Sequence, residues 1–138
     1  MIPGVARCSM ASDQTTLLCV DDEPGILAAL KRVLADDFTV VTAPDVEAGI
    51  QILEERPEVA LVLSDHRMPG INGFDFLAWC QAHRPGIIRV ALTGYPEAQL
   101  MRDAQGSGLV ALVIAKPWDD GELVRTLQSL VAAERSTA

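Results

Sequence analysis

No stretch of this chain approaches the ~20 consecutive apolar residues that a membrane-spanning helix needs, although 49% of its residues are hydrophobic. The apolar content comes as short interrupted runs, so a membrane partner is not expected. Basic clusters are missing too. The formal charge is −8 and no group of Lys or Arg stands together, which opposes direct nucleic-acid contact, because neutralising backbone phosphates takes a basic face. The three cysteines, Cys8, Cys19 and Cys80, are odd in number and lack metal-like spacing. Cys19 lies within an apolar run, and buried free thiols fit a reducing cytosol. A Gly-rich phosphate loop, a Ser nucleophile elbow and a paired-His motif are all absent, so nucleotide hydrolysis and metalloprotease chemistry have no support. Met1 to Gln14 carries one Arg and no continuous apolar segment, unlike a secretory signal. It reads as a flexible leader (1–14) on a cytoplasmic protein.

What is present is a single alternation. The 138 residues suit one domain, since a chain near ~150 residues buries roughly 70% of its unfolded surface. That domain is expected over 15–134, with a tail at 135–138. Short apolar runs at Thr16–Val20, Phe38–Thr42, Val59–Leu63, Ile87–Leu92 and Leu109–Ile114 read as buried parallel strands. Between and after them come helical stripes: Ile26, Leu27, Leu30, Val33 and Leu34 behind Pro24; Val46, Ile50 and Leu53; Phe74, Phe76, Leu77 and Cys80; a stretch from Pro96 to about Ser107; and Leu123, Leu127, Leu130 and Val131. Pro24 suits a first helical turn, and Gly106 and Gly108 suit a helix end. Five strands alternating with five helices predict a flavodoxin-like doubly wound α/β domain with strand order 2-1-3-4-5, whose ligand crevice lies where strands one and three diverge.

Four polar clusters follow strands: Asp21-Asp22-Glu23, Ser64-Asp65-His66-Arg67-Met68-Pro69-Gly70, Leu92-Thr93-Gly94 and Ala115-Lys116-Pro117-Trp118. Each alone is ordinary. An acidic turn before a helix is a capping feature, Thr93 can bond its own turn, and Lys116 can be a solvated charge. Their co-occurrence at the carboxyl ends of parallel strands puts three carboxylates, a hydroxyl and an ammonium in one crevice. The carboxylates repel one another unless a cation intervenes, and an all-oxygen set with room for water favours Mg²⁺ over Zn²⁺. Asp22 and Asp65 are the expected direct ligands, Asp21 acts through water, and a backbone carbonyl at Arg67 completes the set. An aspartate can attack phosphorus to give an acyl phosphate, and Asp65, Mg²⁺, Lys116 and Thr93 supply the nucleophile, metal, cation and donor that phosphoryl transfer needs. His66 stays outside this chemistry, His83 sits where a helix end mildly favours a cation, and Trp79, about 200° round its helix from Leu77, is expected to face solvent.

From Leu17 to Val131 these residues resemble the receiver domain of bacterial two-component response regulators, of the chemotaxis-regulator type. The resemblance implies that Asp65 is the phosphoacceptor, Asp21 and Asp22 the acidic pair, Thr93 the switch hydroxyl and Lys116 the site lysine, with a cis Lys116-Pro117 peptide. It implies a sensor histidine kinase as phosphodonor, slow autodephosphorylation without metabolic catalysis, and an output domain or downstream effector as partner. A homodimer through the fourth helix, fifth strand and fifth helix is a further expectation. The Arg-Met-Pro-Gly and Lys-Pro-Trp wording is similar to receivers placed ahead of transcription activators or cyclic-dinucleotide phosphodiesterases. Arg67 and Tyr95 border the site, where the family tunes acyl-phosphate lifetime. One departure is Val113, which stands where receivers commonly carry a rotating Phe or Tyr. It lends weight to an alternative, an interaction or dimerisation module that signals without phosphorylation. A metal-dependent aspartyl-phosphate phosphatase is the other alternative; it needs an acid two residues past Asp65, where Arg67 stands.

Overall fold

A computed structural model of the chain describes residues 14–65, 73–93, 103 and 105–137. Five strands lie parallel in one sheet: β1 (Thr16–Val20), β2 (Thr39–Ala43), β3 (Val59–Asp65), β4 (Ile88–Thr93) and β5 (Leu112–Ala115), in the expected order β2-β1-β3-β4-β5. Among the described residues the helices are α1 (Pro24–Leu34), α2 (Val46–Glu55), α3 (Gly73–His83) and α4 (Asp120–Thr137). The expected helix over 96–107 falls mostly outside the described residues, though Asp103 and residues 105–106 are helical and Gly108, at φ 82°, follows them in the left-handed region. No described helix is long and apolar enough to cross a membrane.

The alternation of side chains on each strand builds two cores. Leu17 and Cys19 of β1, Leu61 and Leu63 of β3, and Val90 and Leu92 of β4 pack with Leu30 and Leu34 of α1 and Leu123 and Leu127 of α4. On the other face Leu18, Val20, Val62 and Ala91 pack with Val46 and Leu53 of α2 and Phe76, Leu77 and Cys80 of α3. All five residues of β1 are buried, as a strand covered on both faces requires. A bulge at exposed Ala60, where Thr16 pairs Val59 but Leu17 pairs Leu61, returns Val59 to the same face as Val62. Helix starts follow local chemistry. Pro24 opens α1, Asp45 Oδ1 accepts from Ala48 N–H at 2.8 Å before α2, and Asp119 Oδ1 accepts from Glu122 N–H at 2.9 Å before α4.

Two arginines tie down the amino end of the sheet. Arg84 donates to the carbonyls of Leu53 (2.8 Å), Val59 (2.8 Å) and Pro57 (3.1 Å), joining the end of α2 to the start of β3. Arg89 donates to those of Leu109 (2.7 Å), Ile87 (3.0 Å) and Gly108 (3.3 Å). This second clamp explains why β5 starts at Leu112 and not at the expected Leu109: the carbonyls of Gly108 and Leu109 bond a guanidinium, so they make no strand ladder there. Trp79 also departs from expectation. Its ring is half-buried against the α2–α3 core and stacks with His83 at 4.3 Å, because the imidazole one turn on leans back toward the helix N-terminus and over the indole. The last helix runs through Thr137, past the expected domain end at 134.

Candidate functional site

The carboxyl ends of β1, β3, β4 and β5 converge, and each contributes a polar group immediately past or at its last residue. Asp21 follows β1, its N–H bonded to the Ala43 carbonyl at 3.2 Å, and its side chain is fully buried. Asp65 ends β3 and Thr93 ends β4; they are 5% and 2% exposed. Lys116 follows β5, its N–H bonded to the Thr93 carbonyl at 2.7 Å, which fixes its main chain to β4. Apolar strand interiors thus carry these polar ends to a place that packing alone would not give them.

The side chains meet there. Lys116 Nζ donates to Asp21 Oδ2 at 3.0 Å and lies 3.3 Å from Asp65 Oδ2. Asp21 Oδ1 accepts the Glu23 N–H at 2.9 Å, and Ser64 Oγ donates to the Asp65 carbonyl at 2.9 Å. Burial pushes the Asp21 carboxyl above its usual range, against the opposing pull of the Glu23 N–H and Lys116. Burial also works against the Lys116 charge, but Asp21 and Asp65 outweigh it and hold its pKa above the ordinary lysine value. The thiol of Cys19, two residues before Asp21, is pushed up to about 12 by burial and by the neighbouring carboxylate, and takes no part as a nucleophile.

Of the residues singled out in the sequence, Asp21, Asp22, Asp65 and Lys116 come together, and Thr93 stands at the same sheet end. Carboxylate oxygens of Asp21, Asp22 and Asp65 lie within 4.8 Å of one another, two of the side chains buried and Asp22 exposed. Hard oxygen donors with one solvent-facing member fit a hydrated Mg²⁺. The Arg67 carbonyl, His66 and Tyr95 lie outside the described residues. The Lys116–Pro117 peptide is cis, as expected. Val113 is half-buried and rests on the α2–α3 core. The sequence reading gave no role to Trp118, whose half-buried indole packs against the α1–α4 core beside Lys116 and whose Nε1–H donates to Asp120 Oδ1 at 3.0 Å.

Known proteins are similar to this chain. The family model described as the response regulator receiver domain matches residues 17–128. The hydrogenase transcriptional regulatory protein HoxA of Cupriavidus necator is 32% identical over 125 residues, covering 91% of this chain but only 26% of that protein's length. The signal receiver domain of an HD domain-containing protein from Pseudomonas fluorescens superposes with a TM-score of 0.82 at 32% identity, over 89% of this chain and 98% of the other. The response regulator TrrA of Thermotoga maritima, solved in complex with Mg²⁺ and BeF, gives a TM-score of 0.74 at 25% identity, over 85% of this chain and 99% of the other.

Proposed function

Because this chain belongs to the response regulator receiver family, we propose that it takes a phosphoryl group onto Asp65 from the phosphohistidine of a sensor kinase and later releases it to water. The observation that supports the reading most is the shared ammonium: Lys116 Nζ reaches both buried carboxylates, Asp21 at 3.0 Å and Asp65 at 3.3 Å. An Asp65 oxygen attacks phosphorus, forming an O–P bond as the P–N bond breaks. The imidazole nitrogen keeps the electron pair and takes a proton. Asp22 and Asp65, Asp21 through water and the Arg67 carbonyl would hold Mg²⁺, which would supply charge neutralisation for the phosphoryl oxygens. Lys116 neutralises the same oxygens from the β5 side, and the Thr93 hydroxyl donates to one of them. The added charge, near −2 when fully ionised, draws both groups inward and biases the surface around β5 and α4 toward an output domain, effector or second copy. The functional unit runs from residue 15 to the end of α4, behind a leader at 1–14, in the cytoplasm.

Val113 favours one second reading, a module that signals by association without turnover, because a valine on β5 cannot make the aromatic rotation of its relatives. Intact mass after incubation with Mg²⁺ and acetyl phosphate separates the two. The receiver reading expects a gain of one phosphoryl group that chelator and Asp65→Asn both abolish. Absence of the adduct, with Mg²⁺ binding confirmed and self-association unchanged by the donor, overturns it.

A further inference from the structure

Without an aromatic at 113, the state of the site needs another carrier, and among the described residues Trp118 is the one aromatic within two positions of a site residue. Trp118 lines two surface grooves. One, of about 410 Å³, is lined by Ile26, Ala29, Lys116, Pro117 and Asp120. The other, of about 290 Å³, runs along the free edge of β5 past Val113 and Ala115 to Glu122 and Thr126 of α4. A half-buried ring packed on the core and bordered by open grooves has more than one place to rest, whereas a ring packed on all sides has one. The bond that holds it now, from Nε1–H to Asp120 Oδ1 at 3.0 Å, is exposed, so water competes for both partners.

We propose that Trp118 is the conformational relay of this chain, an inference that rests on phosphorylation of Asp65. Lys116 links the two places, since its ammonium holds Asp21 and Asp65 while the same residue lines a groove together with Trp118. A phosphoryl group on Asp65 draws Nζ away from Asp21 and the stem moves with it. Room opens in the groove beside Ile26 and Ala29. The indole leaves Asp120 and turns into that room, and the groove along β5 widens toward Glu122 and Thr126. The β5–α4 surface thereby changes shape in response to a charge change at Asp65, with no aromatic on β5.

Fluorine NMR of the full chain carrying 5-fluorotryptophan tests this. The two indole resonances are assigned by Trp118→Phe, and intact mass is followed in parallel with Mg²⁺ and acetyl phosphate. The expected result is a displaced Trp118 resonance in the phosphorylated fraction, an unmoved Trp79 resonance, and a partial displacement in unphosphorylated Asp120→Ala. Trp118→Ala is expected to keep the mass gain but to lose the phosphorylation-dependent change in amide exchange over Leu112–Ala115. A full mass gain with an unmoved Trp118 resonance overturns the relay and leaves the receiver reading standing. No mass gain, with Mg²⁺ binding confirmed and self-association unchanged by the donor, overturns the receiver reading, and the relay with it.

Discussion

Lys116 is the residue on which the site's electrostatics turn, and its pKa makes a testable sign. The folded chain holds this proton more tightly than the unfolded chain, whose lysine titrates near the ordinary 10.5. Its contribution to stability is therefore complete below 10.5 and is lost as pH rises through the higher folded value. Denaturant midpoints measured across that alkaline range are expected to fall more steeply for wild type than for Lys116→Met; parallel curves refute the ion-pair account. Asp21 runs in the same pH direction without metal, lower on the pH scale. Its folded pKa is raised, so its contribution to stability grows as pH falls through that value toward 3.8. Asp21, Asp22, Asp65, Thr93 and Lys116 were legible in the sequence because each directly follows or ends an apolar run. The Glu23 N–H on Asp21 and the indole of Trp118 were not, since they depend on how loops fold back over the strand ends.

At the scale of elements, α2 lies close to the sheet because it carries a glycine in its buried face. A methyl built on Gly49 meets Val20 Cγ2 at 3.2 Å and Phe76 Cζ at 3.3 Å, and neither side chain has free space to retreat into. Gly49→Ala gains about 1 kcal/mol of helix propensity, but overpacking a closed core costs about 1–3 kcal/mol. The expected outcome is a net loss of about 1 kcal/mol in urea unfolding, whereas an exposed helical Gly→Ala change is stabilising; a raised midpoint means the core yields. Strand and helix identities were legible from the period of apolar residues, and with them the sheet order. The boundaries of β5 and the placement of Trp79 were not. Both depend on where side chains reach, Arg89 to the carbonyls of Gly108 and Leu109 and the His83 ring back along α3 to Trp79.

Over the whole molecule, the two sheet ends differ in kind. Arg84 and Arg89 satisfy backbone carbonyls at the amino end, while the carboxyl end gathers carboxylates that repel. A divalent cation bound only by the folded chain stabilises it by about 2.7 kcal/mol at a hundredfold excess over Kd. Mg²⁺ is therefore expected to raise the thermal midpoint of wild type and to do so far less for Asp22→Asn; equal shifts place the ion elsewhere. Strand order has a different consequence during synthesis. β1 and β2 emerge first as neighbours, and β3, β4 and β5 then join one after another along a single open side. A nascent chain can lay down its sheet in the order in which the ribosome delivers it, with little waiting for distant partners. One exception is the contact between Asp21 and Lys116, separated by 95 positions. Until translation reaches that lysine, Asp21 and Asp65 await their shared cation, so the site is among the last features of the molecule to be completed.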